Sequence, residues 1–409
     1  MIVASDLFQG SRSFHQGEPP ALKILLVEPD YYTRYPPLGL LKLSAYHRSR
    51  GDRVDYVHGK KLARHRPDLV YVTSLFTYAW KPVHEAVKFH KRQFPGAKVI
   101  LGGIYASLLP EHAKTSGADE VHTGLYDPAE MLMPDYDLVP EWDGSILFAS
   151  RGCVRKCGFC SVPSLEGPPS ALRYSISELV HPKHTRVILW DNNILANANW
   201  RPVFAELEKL NLTVDFNQGL DARLVTDEVA QNVSRLKMDV IRLAYDNRTA
   251  GPAVHKAIER LKANGIRPRK ILVYALFNYI DDPEDLCERV LEILQWGAVC
   301  YPMRFEPPCS LQKNAYVGPN WTPEAVEMVA EARRVIGYAG GFPPYKPLVE
   351  KFQRARGFEE AFSLYPPNKV KKRLRSPRTD LGRISKNVHR YGGPRNWMEN
   401  SLENFVHEL

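Results

Sequence analysis

Short, almost wholly apolar runs separated by longer amphipathic stretches set the pattern of the first third of the chain. "KILLVE" (23 to 28), "RVDYV" (53 to 57), "DLVYVTS" (68 to 74) and "AKVILGG" (97 to 103) are the apolar runs, and "AWKPVHEAVKFHKRQF" (79 to 94) carries the helical period. Apolar runs of about five residues alternating with helices predict strands covered on both faces, hence a parallel, doubly wound sheet. The expectation is an α/β, Rossmann-like domain over 21–133. Such sheets bind ligands at the carboxyl ends of their strands, which makes Ser74, Gly102 and Gly103 candidate pocket residues. Tight turning from strand to helix would by itself account for the two glycines. His84 and His112 fall on helical patterns and are expected at the surface.

Between 134 and 146, "PDYDLVPEWDGS" has no period and is rich in Pro and Asp, so a linker is placed there. The pattern then restarts with "ILFAS", "RVILWD", "TVDFNQ", "DVIRLAYD", "KILVYALF" and "AVCYPMRF", most of them followed by helical stretches. Six strand and helix units predict a second α/β domain over 147–345, either open or curled into a partial (β/α)6 barrel of TIM type, two units short of closure. A last helix opens at Thr322 as N-cap with Pro323 at N1. Residues 346–409 read as a helical or irregular, basic extension. Residues 1–20 form a leader without the basic and apolar regions of a secretory signal. No apolar run approaches the eighteen or so residues that span a bilayer, and the expected location is the cytoplasm.

The chain has 409 residues, 44% of them hydrophobic and 25% charged, with a mean hydropathy of −0.34, as in a globular protein built from more than one core. Its net charge of +9 is concentrated near the C-terminus, in "KVKKRLRSPRTDLGRISKNVHRYGGPR" (369 to 395). Such a run leaves a footprint for a nucleic acid without supplying base readout.

Three of the six cysteines lie within eight positions, in "RGCVRKCGFC" (151 to 160). Cys153, Cys157 and Cys160 follow the first strand of the second domain, where α/β folds place their chemistry. Gly152 and Gly158 let the loop curl around a bulky object, and Arg155 and Lys156 favour thiolate. A structural zinc site needs a fourth ligand, for which His181 or His184 is available. A complete ferredoxin-type site needs a fourth cysteine, which is missing locally. A [4Fe–4S] cluster held by three cysteines leaves one iron open to substrate and accounts for the missing ligand. Cys287, Cys300 and Cys309 are scattered, and are expected to be buried small hydrophobes rather than an auxiliary cluster.

The segment "RGCVRKCGFCSVPSLEG", with an aromatic before the last cysteine, resembles the cluster loop of the radical S-adenosylmethionine (SAM) superfamily, and the resemblance extends over about 147–310. It implies a partial barrel and a unique iron that chelates SAM. It also implies a low-potential electron donor, flavodoxin or ferredoxin, and reductive cleavage to a 5′-deoxyadenosyl radical that abstracts hydrogen from a substrate. By the same resemblance Phe159 flanks the adenine, and the strand ends contribute Asp191 and Asn192, then Gln218 and Arg223, then Tyr245 and Asp246, to SAM. The Gly-Gly-Glu signature after the second strand is absent, and Asp191 and Asn192 stand in its place.

The first domain resembles the cobalamin-binding domain fused ahead of many such enzymes, but the Asp-x-His-x-x-Gly motif is replaced by "EPDYYTRYPP". A cobalamin-dependent methyltransferase is therefore one alternative function. A zinc-stabilised nucleic-acid-binding protein is another.

Overall fold

A computed structural model of the chain describes residues 21–171, 175–336 and 339–364. The leader and the basic run at 369–395 lie outside the described residues.

The first sheet holds β1 (Lys23–Glu28), β2 (Arg53–His58), β3 (Leu69–Ser74), β4 (Lys98–Gly103) and β5 (Glu120–Val121), all parallel in the order β2-β1-β3-β4-β5. Both faces of β1 are buried, which is why its apolar run is unbroken. Leu25 and Val27 pack with the helix Trp80–Gln93, while Ile24 and Leu26 pack with Leu40 of the helix Leu38–Ser49. Helices on opposite faces make the sheet doubly wound. Val83, His84, Ala86, Val87 and His90 form the buried stripe of helix Trp80–Gln93, so His84 is an interior residue and not a surface one. Its Nε2 lies 2.8 Å from the hydroxyl of Tyr105, which in turn lies 2.6 Å from Nδ1 of His112.

The second half contains β6 (Gly144–Leu147), the short pair β7 (Ser150–Arg151) and β8 (Ser170–Ala171), and then β9 (Arg186–Leu189), β10 (Thr213–Phe216), β11 (Ile241–Ala244), β12 (Ile271–Phe277) and β13 (Val299–Arg304). Two parallel sheets result, β10-β9-β6 and β11-β12-β13. They meet where the Leu220 N–H donates to the Arg242 carbonyl at 2.8 Å and Arg242 pairs with Asp215. The six predicted strands are thus present, parallel and in chain order. Leu147, Val187, Leu189, Val214, Ile241, Leu243, Val273 and Cys300 share one large core with the helices between the strands. Alternate residues face the other way. Ile146 and Ile188 meet the first domain, and Leu272 and Val299 form a separate cluster with Val240.

The predicted linker is a buried wedge. Tyr136, Val139 and Trp142 share one cluster with Leu38 and Leu41 of the first domain and Ile146, Phe148 and Ile188 of the second. Tyr35, from the loop after β1, packs edge-on to Trp142 and Trp190 and accepts a hydrogen bond from Asn217 Nδ2 at 2.6 Å. Thr77, just after β3, donates to the carbonyls of Pro308 and Ser310. The carboxyl ends of the first sheet therefore face those of the second.

Two corrections concern the C-terminal side. The helices Lys346–Arg354 and Phe358–Phe362 bring Phe352, Phe358 and Phe362 into the main core, so the folded unit extends past the predicted boundary at 345. Cys287 and Cys300 are buried as expected, but Cys309 is exposed. No helix among the described residues is long and apolar enough to cross a membrane.

Candidate metal centre

The cysteine loop hangs from the carboxyl end of β6 by a closed neck. Antiparallel pairing of Ser150 with Ala171 and of Arg151 with Ser170 joins its two ends. At the neck Gly152 has φ +73°, and a Cβ there would stand 2.2 Å from the Pro168 carbonyl oxygen, so a side chain is excluded on both counts. Asp191, after β9, accepts from the N–H of Ala149 at 3.0 Å and from the N–H and hydroxyl of Ser150 at 2.6 Å each. Burial pushes its carboxyl up to about 6, against the pull of the Ser150 hydroxyl and the two backbone donors.

Glu166 closes the loop from its far side. Its carboxylate accepts from the Gly152 N–H at 2.9 Å, from Asn192 Nδ2 at 2.7 Å and from Arg151 at 3.0 Å. Arg151 also reaches Glu130, which pairs with Lys42 at 3.0 Å, so alternating charges run from the helix Leu38–Ser49 to the loop. All four side chains are nearly buried, which raises the cost of removing any one partner.

Inside the neck, backbone and side-chain N–H groups point at sulfur. Arg155 N–H donates to Cys153 Sγ at 3.3 Å and Asn193 Nδ2 donates to the same sulfur at 3.6 Å. Asn193 also reaches Asp221, whose carboxylate takes the guanidiniums of Arg155 at 2.8 Å and Arg223 at 2.7 Å. Burial opposes ionisation of Asp221, yet the guanidiniums of Arg223 and Arg155 hold it below the usual carboxylate range. Burial pushes the Cys157 thiol up, helped by the nearby Asp246 and Cys160 and opposed by Arg223. Burial raises the Cys160 thiol as well, against a hydrogen bond from the Val162 backbone.

The predicted residues divide into two sets. Cys153, Cys157, Cys160, Asn192, Arg223 and Asp246 are brought together around the loop. Asp246 is pushed up to about 6 by burial, against the pull of Arg289 and Arg223. Phe159 lies edge-on to Tyr279, 5.8 Å between ring centroids. The others are engaged elsewhere. Tyr245, just past β11, is buried in the main core with its hydroxyl 2.6 Å from Glu292, and so is not brought to the cysteine loop as Asp246 is. Gln218 is exposed and donates to Asn217 at 3.3 Å. Both oxygens of Asp191 are occupied by the loop neck.

His181 and His184 precede β9, at the end opposite the cysteines, where His184 bonds Ser145 Oγ at 2.9 Å and packs on Tyr136. Neither can complete a zinc site with the cysteines. Among the described residues, no group of three His, Cys, Asp or Glu side chains stands close enough to hold a single metal ion.

In the first domain Ser74 and the two glycines serve each other. The Ser74 hydroxyl donates to the Gly102 carbonyl at 2.7 Å and accepts from Ala106 N–H at 3.2 Å. Gly103 has φ +104°, and a Cβ there would lie 2.1 Å from the Ser74 carbonyl oxygen. Close approach of β3 and β4 accounts for these residues without a ligand.

Glu166 and Asp221 are the two residues that sequence reasoning missed. Asp221 sits two positions before Arg223 and the two bond directly, a local signal that was available. Glu166 bonds partners 14, 15 and 26 positions away, and one sequence carries no mark of that.

No protein-family profile matches the sequence, and neither does any curated protein. Among solved structures, the radical S-adenosylmethionine methyltransferase TsrM from Kitasatospora setae, with tryptophan substrate and the SAM analog aza-SAM bound, superposes with a TM-score of 0.53. The chain shares the fold of that methyltransferase. Identity is 14% and the match covers 76% of each chain.

Proposed function

We propose that the chain is a radical SAM enzyme whose Cys153, Cys157 and Cys160 hold a [4Fe–4S] cluster with one iron left for SAM. The observation that carries this reading is the three-thiol loop, closed at its neck and placed at the carboxyl end of β6, on a fold shared with a radical SAM methyltransferase. The donor set fits. Three thiols come from one loop, N–H groups are aimed at Cys153, and two guanidiniums stand close by to offset negative charge. When bound, such a cluster supplies the electron that cleaves the SAM sulfonium to methionine and a 5′-deoxyadenosyl radical.

The chain's own residues bind and orient. Arg155 and Arg223 offer positive charge to a carboxylate, Phe159 offers an aromatic edge to a base, and Asn192 and Glu166 hold the strand end against the loop. The six strands are read as an open partial barrel whose face away from the helical core, where Tyr274 and Tyr301 pack with Leu272 and Val299, receives the substrate. Anaerobic reconstitution tests the proposal. About four irons per chain, a reduced-state spectrum that changes on adding SAM, and 5′-deoxyadenosine after dithionite are expected. A colourless protein that takes up zinc instead overturns it.

A second reading, methyl transfer relayed by a corrin, is favoured by the facing strand ends of the two domains and by the methyltransferase activity of the TsrM neighbour. The loop that would carry an axial histidine instead sends Tyr35 into the second domain, and His84 is buried against Tyr105. A corrin at these strand ends would therefore take no imidazole from that loop or from His84. Corrin absorbance after reconstitution, with S-adenosylhomocysteine among the products, separates this reading from hydrogen abstraction alone.

A further inference from the structure

The loop that follows β13 is clamped to the loop that follows β3. Thr77 Oγ1 lies 2.9 Å from the carbonyl oxygen of Pro308 and 2.6 Å from that of Ser310. Beside this clamp the rings of Phe76 and Tyr78 stack 5.0 Å apart at 7°, and Phe76 is exposed, so the stacked pair is open to solvent. Glu306, two residues past β13, belongs to the same joint. Its side chain is only partly covered, yet both carboxylate oxygens are buried and neither has a hydrogen-bond partner among the described residues. Arg304 does not fill them. Its Nε stands 3.2 Å from Glu306 Oε1 without forming a hydrogen bond, and its Nη2 donates instead to the carbonyls of Asn314 at 3.0 Å and Tyr316 at 2.8 Å.

A carboxylate offers about four acceptor positions, and hiding them unfilled is costly, so the site calls for a donor. The neighbouring ring shows which kind suits it. Lys313 Nζ stands 5.4 Å from the centroid of the Tyr78 ring, which places a cation over an aromatic face. Burial, then the charge of Glu306, raises the Tyr78 hydroxyl, so the field of the carboxylate reaches that ring. Unfilled acceptors, an aromatic face and an open approach together fit an ammonium group carried on an apolar body.

We propose that this joint between the two domains is a binding site for an amine, whose ammonium donates to Glu306 while its apolar body lies on Phe76 and Tyr78. Arg304, tied to two carbonyls, holds the carboxylate in place. Lys313, exposed and on the same loop, competes with the amine for the Tyr78 ring. Calling that amine the substrate rests on the radical SAM reading above, whereas the binding site itself does not.

The test uses the full chain with phenethylamine as probe, and ligand-observed nuclear magnetic resonance reads the affinity. Wild type is expected to bind phenethylamine about tenfold more tightly than phenethyl alcohol, its neutral counterpart, as for one charge-assisted hydrogen bond. Glu306→Gln, which keeps the shape of the side chain, should lose that preference. Tyr78→Leu should weaken amine binding about threefold, and Lys313→Gln should strengthen it about threefold. These two variants carry the test if the glutamine variant does not fold.

No preference for the amine in wild type, or wild-type affinity in Glu306→Gln, would overturn the proposal. Binding seen only in Lys313→Gln would overturn it too, because Lys313 would then be the carboxylate's own partner. Glu306-dependent amine binding by a chain that assembles no SAM-responsive cluster would uphold the site and defeat only the reading that makes the amine a substrate.

Discussion

Glu166 accepts the backbone N–H of Gly152 at 2.9 Å, so the residue just after the loop's short helix Val162–Leu165 holds the glycine at its neck. Arg151 and Asn192 converge on the same carboxylate. Glu166→Ala would leave three donors without their acceptor in a nearly buried place, at a cost of about 2 to 3 kcal/mol. The expected outcome is a protein that folds but loses cluster iron several times faster than wild type on challenge with a chelator, followed by the decay of visible absorbance. Equal rates would show that the neck pairing alone maintains the loop.

Cys157→Ala removes one of three thiols from a half-buried site. Iron should drop from about four per chain to below about one, while far-ultraviolet circular dichroism stays unchanged. Full iron content in this variant would mean that the cluster is held elsewhere.

Gly103→Ala should unfold the first domain. The left-handed φ and the overlap with Ser74 together cost about 3 kcal/mol or more, because the obstructing atom is backbone. Thermal unfolding then shows an early transition that wild type lacks. A folded, fully stable Gly103→Ala protein would mean that β3 and β4 separate more easily than their pairing implies.

Acid should destabilise both domains through buried histidines. Burial, then the proximity of His112 and Lys88, lowers His84 to about 4. Burial, then His181, does the same for His184. Unfolded imidazoles near 6.5 take up protons that the native ones refuse until about pH 4, so stability falls as pH drops from about 6.5 to about 4. His84→Gln and His184→Gln should each flatten the fall in unfolding temperature across that window. An unchanged slope in both variants would assign acid lability to other groups.

Tyr35→Phe tests the joint between domains. It removes the hydroxyl that Asn217 reaches and should cost about 1 kcal/mol, read as a lower denaturant midpoint with cluster content preserved.

The strands themselves, their parallel pairing, the place of the cysteine loop and the burial of Cys287 and Cys300 were legible because they depend on local pattern. An unbroken apolar run such as Ile24 to Val27 implies cover on both faces, and three thiols in eight positions are held on one loop by contiguity alone. Tyr245 and Asp246 follow one another just past β11, and only packing shows that Tyr245 is the one taken into the core. His84 was misplaced for a related reason. A helical period shows that a buried stripe exists, and the neighbouring sheet decides which residues fill it.

The sequence by itself determined two parallel α/β units and a glycine-flanked triad of cysteines on one loop, since backbone periodicity and residue spacing are properties of contiguous chain. Only the tertiary structure decided that the two sets of strand ends face each other and that the assumed linker is a buried wedge. It also decided that Glu166, Asp221 and Asn193 surround the loop, because those contacts join segments far apart in the chain. Their geometry follows from how both cores pack rather than from any local preference.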